Sequence, residues 1–140
     1  MLSLRLVLDT NIIVSAALKA DGLQRTVFLL SITKPSRLYV TSEILSECRD
    51  VLSRPELHIR KGLQQQFHQL IKSYAHLVFP SRRLHITSDP DDDIFLECAD
   101  AAKADYLVTG NQRHFPRFWK KTKIITSREF VTMVAPHLVQ

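Results

Sequence analysis

Three glycines, six prolines and two cysteines are all that a chain of 140 residues carries of these types. So little glycine and proline excludes a collagenous, repetitive or low-complexity chain. Cys48 and Cys98 stand far apart, with no Cys-x-x-Cys spacing. They make neither a disulfide framework nor a zinc ribbon, and they read as small buried residues of a reducing compartment, so a cytoplasmic location is expected. The six histidines show no HxxxH spacing, which leaves no zinc site to propose. No apolar run approaches the roughly 20 residues of a membrane span. The N-terminus has no basic region ahead of a long apolar stretch, and Asp9 interrupts the short one it has, so neither membrane insertion nor secretion is expected. G-x-S-x-G, P-loop and G-x-G-x-x-G motifs are also missing, which weakens readings as a triad hydrolase, an NTPase or a dinucleotide enzyme.

What is present suits one globular domain spanning residues 1–140, with 45% hydrophobic residues to build a core. The net charge of +5 permits an anionic partner without specifying one. Short apolar runs at 4–8, 38–40, 77–79, 106–109 and 124–125 read as strands. Between them, helical spacing covers 11–18, 23–32, 42–52, 63–77 and 91–103, and a last helix runs from Ser127 to about residue 135. Thr41 or Ser42 is the natural cap of the third of these. The stretch 81–90 is polar and irregular. Strands that are apolar on both faces and alternate with helices predict a three-layer α/β/α sandwich around a central parallel sheet of about five strands.

In such sheets the ligand site lies outside the carboxyl ends of the strands. Asp9 directly follows the first strand, and Asn111 follows the fourth after Thr109-Gly110. Glu47 lies one to two turns into the helix after the second strand, and Asp93 stands at the start of the helix before the fourth. Four segments thus bring three carboxylates and an amide toward one edge. Each also has a plain structural reading: Asp9 and one of the aspartates in Asp89-Pro-Asp-Asp-Asp are good helix caps, and Glu47 suits an exposed helix face. Clustered carboxylates repel each other, and a hard divalent cation such as Mg²⁺ or Mn²⁺ removes that repulsion. A cation so held can activate water and stabilise a leaving oxygen, the chemistry of phosphodiester hydrolysis. Thr10, Asn11 and Thr109 are placed to orient the carboxylates and bound water.

LVLDTNII around Asp9, YVTSEILSECRDVL with Glu47, DPDDDIFLECA with Asp93 and YLVTGNQRHF with Asn111, in that order along nearly the whole chain, resemble the PIN-domain family. The likeness is to its stand-alone bacterial toxin–antitoxin type, the VapC-like ribonucleases. The resemblance implies a parallel α/β/α sandwich and Mg²⁺- or Mn²⁺-dependent cleavage of RNA. It implies catalytic and metal-binding roles for Asp9, Glu47 and Asp93, a cognate antitoxin, and assembly as a homodimer or higher homo-oligomer. PIN domains often carry a fourth acid after the fourth strand, where this chain has Asn111. Asp92 is the alternative to Asp93, and Glu97, one turn on, is a candidate for the missing acid.

The segment 112–123 mixes Arg113, His114, Arg117, Lys120, Lys121 and Lys123 with Phe115, Phe118 and Trp119. Cations for phosphates and rings for bases are what a single-stranded RNA track needs. Arg113, Arg117 and Lys120 are its candidate RNA contacts, whereas Phe115 reads as core. The competing function is a catalytically weak RNA-binding or protein-interaction module, which the neutral Asn111 motivates.

Overall fold

The computed structural model describes residues 3–139. Six strands, Arg5–Leu8 (β1), Arg37–Val40 (β2), His76–Leu77 (β3), Tyr106–Val108 (β4), Phe118–Trp119 (β5) and Thr122–Ile125 (β6), form one sheet in the order β3-β2-β1-β4-β6-β5. Every neighbouring pair is parallel except β5 with β6. The sheet is central because its middle strands have no wet face: Leu6, Val7 and Leu8 of β1 and Leu107 and Val108 of β4 are all buried.

Helices Thr10–Leu18 (α1), Leu23–Ser31 (α2), Ser42–Leu52 (α3), Lys61–Tyr74 (α4), Pro90–Ala102 (α5) and Ser127–Val134 (α6) connect and cover the strands. α5 packs on β1, β2 and β4, and Leu96, Cys98, Ala99 and Ala102 are among the residues it buries. Its alanines allow the helix to lie close to the sheet. α1 touches α2, α3 and α4, and α2 touches α6. The sequence sets several helix starts locally. Thr41 Oγ1 accepts the Ile44 N–H at 3.1 Å, Thr126 and Glu129 form a reciprocal capping box, and Asp89 caps α5 with Pro90 in its first turn.

The fold is the expected α/β sandwich with a mostly parallel sheet, and three details differ. The strand expected at 77–79 is His76–Leu77, one residue earlier, so α4 stops at Tyr74. The helix expected over 63–77 ends at Tyr74 for the same reason, and it begins two residues earlier, at Lys61. A sixth strand, β5, pairs antiparallel at the sheet margin through Phe118 opposite Lys123 and Trp119 opposite Thr122. Two residues make no periodic signal; the hairpin depends on Lys120 taking a left-handed φ of 53° and on the edge that β6 offers.

The switch in strand order falls at β1, whose neighbours β2 and β4 come from opposite directions of chain travel. The crevice outside the carboxyl ends of β1 and β4 is therefore where a site is expected. Leu107 lies on β4 beside β1 and is fully buried. Leu107→Ala is expected to destabilise the fold by about 2–5 kcal/mol. The check is urea denaturation, where the midpoint falls while the slope stays constant.

Candidate functional site

Asp9 is the residue after β1, and its backbone N–H donates to Val108 O at 3.0 Å, which extends the β1–β4 ladder by one step. Its side chain is only 4% exposed. Oδ1 accepts the Asn11 N–H at 3.3 Å, so Asp9 does cap α1. Oδ2 accepts the Thr109 hydroxyl at 2.7 Å from the end of β4. Thr109 Oγ1 in turn accepts the Asn111 N–H at 3.0 Å. The cap and the site are one arrangement: a buried carboxylate is held in orientation by donors from two neighbouring strand ends.

Thr10 is buried and its hydroxyl donates to Glu47 Oε2 at 2.7 Å, fixing a half-buried carboxylate on α3. Burial raises the Glu47 pKa above its ordinary 4.5, against the pull of the Thr10 bond; Asp9, Asp91 and Asp92 push it further up. Asp92 is also raised, by burial first and then by Asp89, with Asp9 adding to the push and His114 opposing it. His114 Nδ1 stands 3.4 Å from Asp92 Oδ2. Four carboxylates, Asp9, Glu47, Asp91 and Asp92, thus act on one another at the crevice.

Asp93 is placed differently. It is 3% exposed, and its Oδ1 accepts two backbone N–H groups, Thr87 at 2.8 Å and Ile86 at 3.2 Å. Glu97 is also buried, and its Oε2 accepts the Leu84 N–H at 2.9 Å while Oε1 lies 3.6 Å from Arg83. Arg83 reaches on to Glu43 of α3 at 2.6 Å. Asp93 and Glu97 therefore both bind the strap 81–88 down onto α5. The sequence reading missed this strap; its one signal was Leu84, a buried apolar residue inside a polar run.

The other expected residues also divide. Asn111 is half-buried beside Arg113 and His114 in a pocket of about 330 Å³ with Gly110 and Gln112. Arg113 and Arg117 are exposed, and Phe115 belongs to the core. Lys120 precedes β6, at the sheet edge opposite Asp9, and pairs with Asp100 at 2.7 Å. It is removed from the crevice because the β5–β6 hairpin carries it down the sheet.

The profile of the PIN domain matches residues 5–113, which take in β1, α3, α5 and β4, and all the carboxylates above. The chain belongs to the PIN-domain family. PIN domains are nucleases, hydrolases of the phosphodiester bond. The PIN chain is also 22% identical over 114 residues to an uncharacterised protein of Methanocaldococcus jannaschii, covering 79% of this chain and 73% of that protein. Among solved structures it resembles a chain of VapBC2 from Rickettsia felis, bound in the crystal to a DNA fragment from their promoter. The TM-score is 0.58 at 18% identity, with 87% of this chain and 98% of that one covered.

Among the described residues no three His, Cys, Asp or Glu side chains lie close enough to enclose a metal ion by themselves, and no helix is long and apolar enough to cross a membrane. The crevice donors are all hard oxygens. Their mutual repulsion and the raised pKa values of Glu47 and Asp92 suit a small divalent cation, which commonly keeps part of its water shell.

Two outcomes follow for the metal-free PIN domain. A carboxyl with a raised folded pKa binds its proton more tightly folded than unfolded, so ionisation at neutral pH opposes folding. Stability should rise as pH falls from 7 through the folded pKa values of Glu47 and Asp92 toward their ordinary 4.5 and 3.8. Melting in EDTA between pH 7 and 5 checks this, and Glu47→Gln should melt higher at pH 7 with a flatter pH dependence. Thr109→Val removes the donor to a buried carboxylate oxygen and is expected to lose about 1–3 kcal/mol of folding stability, read by chemical denaturation.

Proposed function

We propose that this PIN domain is a divalent-metal-dependent endoribonuclease and the toxin of a toxin–antitoxin pair. The observation that carries the reading is the mutual charge coupling of Asp9, Glu47 and Asp92 at the crevice where β1 and β4 end. Asp9, Glu47 and Asp92, which do not by themselves close around an ion, would hold Mg²⁺ or Mn²⁺ in part through its water shell, with Asp91 and the Asn111 amide alongside. Asp92 takes this role ahead of Asp93 because Asp92 shares the charge coupling with Glu47 and Asp9, whereas Asp93 turns to the backbone of the strap at Ile86 and Thr87. Glu97, tied to Leu84 and Arg83, is left to structure for the same reason.

When bound, the cation supplies Lewis-acid polarisation of the phosphate and a water of lowered pKa. The protein's part is orientation. Thr109 and the Asn11 N–H fix both oxygens of Asp9, and Thr10 fixes one oxygen of Glu47, leaving its other free. Arg113, exposed beside Asn111, would meet RNA phosphates, and Arg117 lies further along the same segment. Lys120, engaged by Asp100 at the far edge, is left out of this track. The toxin role is supported by the fold shared with a chain of the Rickettsia felis VapBC2 complex, and an antitoxin is the partner it implies.

The second reading, a catalytically weak RNA-binding module, draws on one observation: the position after β4 holds the neutral Asn111 instead of an acid. Cleavage of a single-stranded RNA by purified protein, with Mg²⁺ or Mn²⁺ titrated against EDTA, separates the two. We expect metal-dependent cleavage that falls to background in Asp9→Asn and Asp92→Asn. A loss of about 10–100-fold is expected in Thr10→Val, where only the support of Glu47 is removed. Asp93→Asn should retain cleavage and lose thermal stability. Cleavage at the wild-type rate in Asp9→Asn would sink the assignment, and RNA binding without cleavage at any metal level would favour the module.

A further inference from the structure

Arg49 follows Glu47 by two residues on α3, about 200° round the helix axis, so the two side chains leave on nearly opposite faces. Glu47 meets Thr10 of α1; Arg49 meets α4. Between α3 and α4 lies a pocket of about 300 Å³, lined by Arg49, Lys61, Gln64, Gln65, His68 and Gln69. No carboxylate lines it. Among the described residues neither Arg49 nor Lys61 has an acidic partner at ion-pair distance.

The Arg49 guanidinium lies 2.7 Å from His68 Nε2. A guanidinium can only donate, so Nε2 accepts and the imidazole proton sits on Nδ1. His68 Nδ1 is buried and has no hydrogen-bond partner, a state that native structures rarely leave unresolved. Burial, Arg49 and Lys72 together hold His68 below its ordinary 6.5, so the charges acting on the ring are positive. Two of the glutamines are fixed as walls: Gln64 Nε2 donates to Ile59 O at 2.7 Å, and Gln69 Nε2 donates to Ser73 Oγ at 3.1 Å. The pocket therefore gathers a guanidinium fork and an ammonium, while its strongest donor is met only by a neutral ring nitrogen. What it lacks is an acceptor carrying negative charge.

We propose that the α3–α4 pocket is an anion site that takes a phosphate group, with Arg49 turning from His68 to the phosphate oxygens and Lys61 completing the contact. Arginine's planar fork matches phosphate oxygens in pairs, and lysine adds a point charge. The same chemistry is offered by free inorganic phosphate and by the backbone of a nucleic acid. The site does not depend on the acidic crevice being a nuclease, and its test needs no turnover.

The His68 imidazole and Arg49 Nε resonances of the whole protein are followed by NMR at pH 7 in EDTA. Inorganic phosphate is titrated in one arm and a short single-stranded oligoribonucleotide in the other, with chloride at matched ionic strength as reference. Saturating shifts at both residues are expected, weakened at least about tenfold in Arg49→Gln through loss of a charge-assisted bond. Lys61→Gln, at an exposed position, should weaken binding without altering the fold. Tighter saturation by phosphate identifies a free oxyanion as the ligand; tighter saturation by the oligonucleotide identifies a backbone phosphate. Shifts that track chloride, or saturation unchanged in both variants, would overturn the site.

Discussion

The pairing of β1 with β4 governs the rest of the molecule's chemistry. Both strands are buried and run parallel, so both end at the same edge, and the chain leaves each with a polar residue. Asp9 and Thr109 meet there across the ladder, hydroxyl to carboxylate, at 2.7 Å. Without that register Asp9 would be an isolated helix cap. With it, the carboxylate is buried, oriented, and within the electrostatic reach of groups on α3 and α5.

The same edge is a source of instability. Glu47 and Asp92 are both driven upward by burial and by neighbouring carboxylates, so the metal-free fold carries charge that it would shed if it could. The apolar sheet and the closely packed α5 supply the stability against which that charge is held. Perturbed carboxylates gathered in a crevice are a recurring mark of a functional site, and here they lie within the residues that the PIN-domain profile matches.

The run Asp89-Pro-Asp-Asp-Asp shows how neighbouring identical residues are given different work by helical rotation. Asp89 caps α5 by accepting the Asp91 N–H at 2.9 Å. Asp91 and Asp92 face the crevice charges, and Asp93, about 100° further round the helix, binds the backbone of the strap at Ile86 and Thr87. Glu97, one turn on, continues that attachment through Leu84 and Arg83, and Arg83 carries it to Glu43 on α3. The strap therefore joins the helices that bear Glu47 and Asp92, the two carboxylates on which the cluster turns.

Apolar runs, helical spacing and turn residues are local properties, and they were enough to predict an α/β sandwich, a cap at Asp9 and one at Thr41 or Ser42, and the edge where polar residues gather. Asp9, Glu47, Thr10 and Thr109 were legible because each follows directly from a strand end or a helix turn. Three matters were decided only in the folded chain. Which aspartate of a run faces the crevice depends on a rotation of about 100° per residue, finer than any boundary readable from sequence. The two-residue strand β5, and with it the removal of Lys120 to the far edge, depends on the open flank of β6. The Arg49–His68 contact joins residues 19 apart on two helices whose approach is set by packing, not by pattern. The sequence determined by itself what each segment buries and where it turns; only the tertiary structure decided which polar groups meet, because that follows from the register and rotation of elements already formed.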